Sequence, residues 1–391
     1  MISLFINALS ASAGGGLTYV RNIVPHLATL RDVEATVLLS RGFWDELGVW
    51  PNIKIVEQLE RSGTSRRFLF EQYSLSNLIR ASGANVLVSA GNFALRNAPV
   101  PQILLSRNAL YTSTDFYSDL RTRGEYRLYL DTRVKGWFAK QSVEIADVTV
   151  APSQAFADEL VNWTGKQIAV IHHGFDNELF SRDSTALPST MSAQLVFKPG
   201  CLRLLFVSHY NYYRNFETLI RATARAADKL GRDKIKLLLT CKLKSEDNPG
   251  SYRAESAAQL VRALDMQQNV IELGPVSYRQ LHHIYRASDL YVTAAYCESF
   301  AHPLVEAMST GLPIVASDIS VHQEICGRAA VYCPRFSDEA FSEQIVSLSA
   351  SQQKRDELSA AGRTRATDFS WRCHVEQIVA LASKLMRESY R

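Results

Sequence analysis

The feature that most restricts this chain is an alternation, run through twice, of short apolar segments and longer segments with helical spacing. In the first half the apolar segments are "ISLFINAL", "EATVLLS", "IKIV", "NVLVSA", "QILLS" and "DVTVAPS". Between them lie a helical pattern from about Leu17, another over residues 67–80, and a long one ending at Ile145. A helix between two strands carries the chain back to the end where it started, so the strands pair in parallel and the sheet is covered on both faces. "VIHHGFDNELF" closes this series, and "SRDSTALPSTMSAQLVFKPG", rich in Ser, Thr and Pro and without a period, reads as a linker. A second series follows: "RLLFVS", "IKLLLTC", "NVIEL", "DLYVTAA", "LPIVAS" and "AAVYC". The expected fold class is α/β, two doubly wound Rossmann-like domains facing across a cleft, at residues 1–178 and 200–373 with a linker at 179–199.

Composition fits that size. The 391 residues are 47% hydrophobic and 21% charged, enough for two cores. A net charge of +4 is too small to imply a nucleic-acid partner, though it suits anionic substrates or an anionic membrane surface. The cysteines, Cys201, Cys241, Cys297, Cys326, Cys333 and Cys373, form no CxxC pair, which points to neither a disulfide framework nor a zinc site. A reducing cytoplasm is the expected location. The N-terminal "MISLFINALSASA" lacks a basic start and is interrupted by Asn7, so it reads as the first strand rather than a signal peptide. No run approaches the roughly 18 apolar residues of a membrane span, and any membrane contact is expected to be peripheral.

Candidate chemistry gathers in "ESFAHPLVEAMSTGLPIVAS". Pro303 suits the start of a helix and Gly311 the residue past its end, which makes the segment a loop, helix and strand following the strand "DLYVTAA". Ligands of open parallel sheets collect beyond the carboxyl ends of the strands, where Glu298 and the amides of Ser299, Phe300, Ala301 and His302 fall. Free amides at a helix start attract phosphate. Glu306, one turn into the helix, is placed to accept two hydrogen bonds from a ribose diol, leaving Glu298 to face whatever the phosphate carries. "FVSHYNYYRNFETLIRA" repeats the geometry, with Arg214 as a cation for a diphosphate and His209 as either a ligand contact or a structural histidine.

Gly14, Gly15 and Gly16 follow the first strand and serve either a phosphate cradle or a tight turn. A dinucleotide fingerprint would need glycine where Tyr19 stands and an acid after the next strand, which ends "LLSRG". There is no GxxxxGK[ST], no Asp-x-Asp, no HExxH and no GxSxG. No metal is therefore expected, and the charge of a leaving diphosphate falls to Arg214, other cations and helix starts. The stretch "SDLRTRGEYRLYLDTRVKGWFAKQ" interleaves Arg121, Arg123, Arg127, Arg133, Lys135 and Lys140 with aromatics. It reads either as a face for an anionic membrane or lipid-linked acceptor or as a helix with its aromatics in the core.

The stretch from "LGPVSYRQLHHIYRASDLYVTAAYCESFAHPLVEAMSTGLPIVAS" onward resembles the donor-site segment of the retaining glycosyltransferases of family 4, which have the GT-B fold. "VIHHGFD", "FVSHYNYYRNFETLI" and "FSWRCHVEQIVALASKLM" resemble the family's interdomain, phosphate-loop and final-helix segments, in order. The resemblance implies that Glu306 holds the ribose of a nucleotide sugar and Glu298 lies at the transferred hexose. It implies that Ser299, Phe300, Ala301, His302 and Pro303 line the sugar and phosphates, with His209, Gly274, Val276, Gly15 and Gly16 also on the donor. Arg214 matches the family's phosphate-binding lysine. Where many members carry a histidine after the strand "QILLS", this chain offers Arg107 and Asn108, and where they often carry glycine it has Ala301. The final helix, about 374–391, is expected to pack back on the first domain. The function implied is retaining, metal-independent hexosyl transfer from a GDP- or UDP-linked sugar to a glycan or lipid-linked acceptor, in the cytoplasm or at the inner membrane face. A sugar-nucleotide epimerase and a non-catalytic sugar-nucleotide-binding partner are the alternatives.

Overall fold

A computed structural model describes residues 1–10, 15–40, 48–58, 64–181 and 185–389. Gly14 lies outside them. The chain divides into two compact units. The first comprises Met1–Thr112, Leu130–Gly174 and Ser370–Arg391, and the second Ser113–Tyr129 and Phe175–Phe369.

The first unit holds a parallel sheet of β1 (Ile2–Asn7), β2 (Val33–Ser40), β3 (Ile53–Gln58), β4 (Val86–Ser89), β5 (Gln102–Leu105), β6 (Val148–Ala151) and β7 (Ala169–Val170). Their order is β3-β2-β1-β4-β5-β6-β7, so the winding reverses between β1 and β4. Every residue of β4 and β5 is buried, as strands covered on both faces require. The helix Gly15–Ala28 turns Tyr19, Val20, Ile23, Val24 and Leu27 onto this sheet. The same cluster takes in Trp371, Val375, Ile378, Ala382 and Leu385 of the last helix, Trp371–Ser389.

That helix is fixed by a polar seam. His374 Nδ1 donates to the His172 carbonyl at 2.8 Å, which leaves Nε2 to accept from the Tyr19 hydroxyl at 3.0 Å. Burial, opposed by the His172 bond, brings His374 down to about 4, so the neutral ring is the stable form here. The glycine of "VIHHGFD" has a steric cause, since a Cβ on Gly174 would stand 1.9 Å from the Trp371 amide nitrogen.

The second unit repeats the architecture with six parallel strands: β8 (Leu202–Phe206), β9 (Ile235–Leu239), β10 (Val270–Glu272), β11 (Leu290–Thr293), β12 (Ile314–Ser317) and β13 (Ala330–Cys333). Their order is β10-β9-β8-β11-β12-β13, and the winding reverses between β8 and β11. The segment expected as a linker carries a short helix, Ser189–Gln194, and residues 182–184 lie outside the described set.

The largest difference from the sequence expectation is Ser113–Tyr129. The long helical pattern ending at Ile145 is two helices, Thr114–Thr122 and Tyr126–Ile145, broken at Gly124, which has φ +70°. Ser113 caps the first by accepting from the Phe116 amide, and Phe116, Tyr117 and Leu120 are buried within the second unit rather than the first. The division between the units falls inside the second helix. Among the described residues no helix is long and apolar enough to cross a membrane.

Candidate active site

Ligands of doubly wound sheets bind where the winding reverses, because the loops there part to opposite faces and leave a crevice. In the second unit those loops follow β8 and β11. After β8 the chain makes a tight turn, Tyr212–Arg214, in which the Asn211 side chain accepts from the Arg214 amide at 3.1 Å. Asn215 then adopts the left-handed conformation (φ 55°, ψ 51°) and starts the helix Phe216–Leu230. Its side-chain Nδ2 donates to the carbonyls of Ala294 (3.1 Å) and Arg335 (2.7 Å), so the start of this helix is tied to the loops after β11 and β13.

That second loop runs through Glu298 to Ala301, which also sits in the left-handed region at φ 64°, ψ 62° and precedes the helix His302–Thr310. Alanine pays roughly 1–2 kcal/mol there, a strain that glycine avoids. Neither Asn215 nor Ala301 caps its helix with a side chain, whereas Ser153, Ser337 and Ser351 each accept an amide hydrogen at theirs. Both helix starts beside the reversal point thus lack a side-chain cap, as do those at Ala254, Ser277 and Ile319 elsewhere in the unit.

Arg214 and Glu298 form an ion pair across the point of reversal, their side chains 19% and 8% exposed. Arg214 Nε is buried without a hydrogen-bond partner among the described residues, and the guanidinium lies 5.5 Å from the Tyr213 ring. Its charge reaches two histidines. Burial first, and Arg214 second, lowers His209. Burial brings His322 down to about 3, against a Ser317 backbone bond, with Arg214 adding to the fall.

Glu306 is 5% exposed, and its Oε2 accepts from the Tyr285 hydroxyl at 2.8 Å. Burial lifts this carboxyl to about 7 despite that bond. Burial raises the Tyr291 phenol on β11, with Arg214 opposing the rise and Glu306 adding to it. Phe300 is buried against Phe369, with ring centroids 5.6 Å apart, while Ser299, His302 and Pro303 are half-buried. Gly274 (φ +85°) and the half-buried Val276 follow β10, two strands along the sheet from β8.

Several supporting residues escaped the sequence reading. Tyr285, which orients Glu306, lies on the buried face of the helix Tyr278–Arg286 with Leu281 and Ile284, and only that periodicity marks it. Ser317 and His322 were equally silent. Ser317 Oγ donates to the Ala295 carbonyl and meets His322 Nδ1 at 2.9 Å, gripping the Glu298 loop from the β12 side.

Arg107 and Asn108 follow β5 in the first unit. Arg107 lies 4.7 Å from the Tyr19 ring centroid and donates to the Ala90 carbonyl, and Asn108 accepts from the Leu110 amide. Gly15 and Gly16 open the helix after β1.

Two family models account for both halves of the chain: glycosyl transferases group 1 over residues 190–365 and glycosyltransferase family 4 over residues 13–179. The chain belongs to the group 1 glycosyltransferases. D-inositol 3-phosphate glycosyltransferase of Rhodococcus erythropolis is 26% identical over 184 residues, 46% of this chain and 40% of that one. The enzyme of the same name from Mycolicibacterium smegmatis is 27% identical over 261 residues, 64% of this chain and 55% of that one. The chain thus spans about half the length of the curated relatives it matches.

Solved structures are similar over nearly the whole chain. Sucrose-phosphate synthase from Thermosynechococcus elongatus superposes with a TM-score of 0.76 at 18% identity, covering 99% of this chain and 100% of that one. HepE from Anabaena, in complex with UDP and glucose, gives 0.69 at 16% identity, covering 98% and 100%. Both likenesses concern the fold, which is GT-B.

Proposed function

We propose that this group 1 glycosyltransferase moves a hexose from a GDP- or UDP-linked donor to a glycan or lipid-linked acceptor, with retention at the anomeric carbon and no metal ion. The observation that carries this is the Arg214–Glu298 pair across the reversal point, flanked by two uncapped helix starts. Binding of a diphosphate exchanges partners: the phosphates take the Arg214 charge and the first-turn amides, and Glu298 is released toward the hexose hydroxyls. Glu306 accepts from the ribose diol while Tyr285 holds its carboxyl in place. The bond from the anomeric carbon to the diphosphate oxygen breaks ahead of the new bond, giving oxocarbenium character. Arg214 and the helix amides meet the charge that develops on the leaving oxygen. That oxygen takes the acceptor proton on the same face as the acceptor oxygen bonds to carbon, so no protein base is required. Arg107 and Asn108 serve the acceptor or the transferred sugar.

The relatives support the substrate class. HepE is described with UDP-glucose, and WaaG, at a TM-score of 0.69 and 14% identity, as a glycosyltransferase of lipopolysaccharide biosynthesis.

An exposed face supports a bilayer-borne acceptor. The helix Tyr126–Ile145 buries small residues, Thr132, Gly136 and Ala139, and exposes large ones: Tyr126 64%, Leu130 63%, Val134 57% and Trp137 55%. These four recur at helical spacing on the side away from the core, with the exposed Arg127 and Arg133 to either side. An apolar stripe between arginines is suited to lie in an anionic lipid interface at the inner face of the cytoplasmic membrane.

The test has three arms. Thermal-shift screening with UDP- and GDP-sugars should raise the melting temperature for one donor. Transfer by that donor should survive EDTA and give a product of unchanged anomeric configuration by NMR. Sedimentation with anionic vesicles should show binding that falls as salt rises. Strict need for a divalent ion, or inversion, would sink the mechanism, and no vesicle binding at low salt would remove the membrane face.

A further inference from the structure

The strap Ser113–Tyr129 comes from the half of the sequence assigned to the first domain, yet its partners lie in the second unit. They converge on the turn just ahead of the helix Phe216–Leu230. The Tyr212 hydroxyl donates to Glu125 Oε1 at 2.8 Å, and the Arg123 guanidinium lies over the Tyr212 ring, 4.3 Å from its centroid. Arg123 is itself fixed, donating from Nη1 to Glu217 at 2.9 Å and from Nε to Asp119 at 2.8 Å. Tyr213 meets Phe116 edge-on at 6.0 Å, and its carbonyl accepts from the Tyr296 amide at 3.0 Å. The Tyr296 hydroxyl returns to the strap, donating to Asp119 Oδ2 at 2.7 Å. The next residue along is Arg214.

Two features set this apart from ordinary packing. Phe116 and Glu125 are buried, and the Arg123 and Glu217 side chains are only 23% and 18% exposed, so the ions have lost much of their water. A partly buried network of this kind adds little stability over an apolar contact of the same shape, because desolvation offsets attraction. What directional bonds add is a fixed orientation. Here they act on Tyr212, while the Phe116 ring packs on Tyr213, so the strap touches both residues that precede Arg214.

We propose that Ser113–Tyr129 is a positioning element for Arg214: through Arg123 and Glu125 on Tyr212, and Phe116 on Tyr213, it holds the guanidinium at the reversal point before a ligand arrives. Its consequence for turnover rests on the donor-site reading above. Its geometry does not. A segment from the acceptor-side half of the sequence thereby sets the leaving-group cation of the other.

The test combines Arg123→Leu and the milder Tyr212→Phe, each alone and on Arg214→Ala, in the full chain, with melting curves to confirm folding. The ligand-free readout is the NMR titration of His209, assigned with His209→Gln, since burial first and the Arg214 charge second hold that imidazole low. The strap variants should raise the His209 midpoint toward its value in Arg214→Ala and add nothing on that background. An unmoved midpoint in both would overturn the proposal. The second readout is calorimetry with UDP and GDP. Residues acting through one another couple strongly, so about tenfold weaker binding is expected with Arg214 present and under about twofold without it. Additive losses would also overturn the proposal. Arg123→Lys should recover part of the affinity, keeping the charge but losing the planar stack. If His209 responds while neither nucleotide notices Arg214→Ala, positioning stands and the donor-site reading falls.

Discussion

At the carboxyl ends of β4 and β5 the first unit carries a cation, Arg107, that lies over the Tyr19 ring and bonds the Ala90 carbonyl. At the carboxyl ends of β8 and β11 the second carries Arg214, paired with the carboxylate of Glu298 beside two helices that lack side-chain caps. The sheets around them wind alike, outward from β1 or β8, then reversing to β4 or β11. One arginine is engaged by a ring and a backbone carbonyl. The other is held by an ion pair, which on the proposed reading a diphosphate replaces. The shared topology supplies a crevice in each sheet, and the side chains decide which charges stand at it and what holds them.

The contrast breaks first on turnover. Arg214→Ala is expected to lower kcat by on the order of 10²–10³, as loss of one pre-aimed group at a developing charge does, with a smaller change in donor KM. Arg107→Ala should instead cost stability, on the order of 1–2 kcal/mol for the ring contact and hydrogen bond, with a smaller loss of kcat. Steady-state kinetics beside melting curves would read both. The reverse ranking would move the leaving-group chemistry to the first unit.

Next in size is Glu306→Gln. Hydrogen bonds to a charged acceptor contribute about 1.5–3 kcal/mol, so donor affinity should fall roughly ten- to a hundredfold in calorimetry. An unchanged affinity would remove the ribose contact.

The same residue gives a subtler test. Burial raises Glu306 from 4.5 to about 7, so in the free protein the neutral form is favoured and its contribution to stability is lost as pH rises from 4.5 through about 7. A ribose diol that bonds the carboxylate reverses the preference, lowering its pKa on binding. Nucleotide binding near and below pH 7 should therefore release a proton, and affinity should rise with pH toward 7 and level off above it. Calorimetry in buffers of different ionisation enthalpy would detect it. Proton uptake, or release undiminished in Glu306→Gln, would contradict the assignment.

Smallest is Ala301→Gly. Relief of the left-handed strain, about 1–2 kcal/mol, is partly offset by the greater freedom of the unfolded chain, about 0.4–1 kcal/mol. A net gain between about 0 and 1.6 kcal/mol is expected in chemical denaturation, and a clear loss would mean that the Ala301 methyl group is itself a needed contact.

Much of this was legible because it is local. The six strands of the second unit fall on the six apolar runs, since a buried parallel strand needs an unbroken apolar segment whatever surrounds it. Gly311 ends its helix at φ +76°, and the helix begins at His302 with Pro303 in its first turn, as their backbone limits dictate. Arg214, Glu298 and Glu306 stand out as candidates because they lie at fixed distances from such boundaries. Tertiary structure decided what depends on partners far away in the chain. Arg123 and Glu217, 94 positions apart, become a pair only after folding, and so do Tyr285 and Glu306 or Ser317 and Ala295. The basic aromatic stretch was undecidable in sequence because helical spacing fixes which residues share a face but not which face is buried. Only packing could send Arg123 into a network, bury Gly136 and Ala139, and leave Trp137 outside. Local propensities are set by each residue and its near neighbours, whereas the choice of face and partner is a property of the whole assembled core.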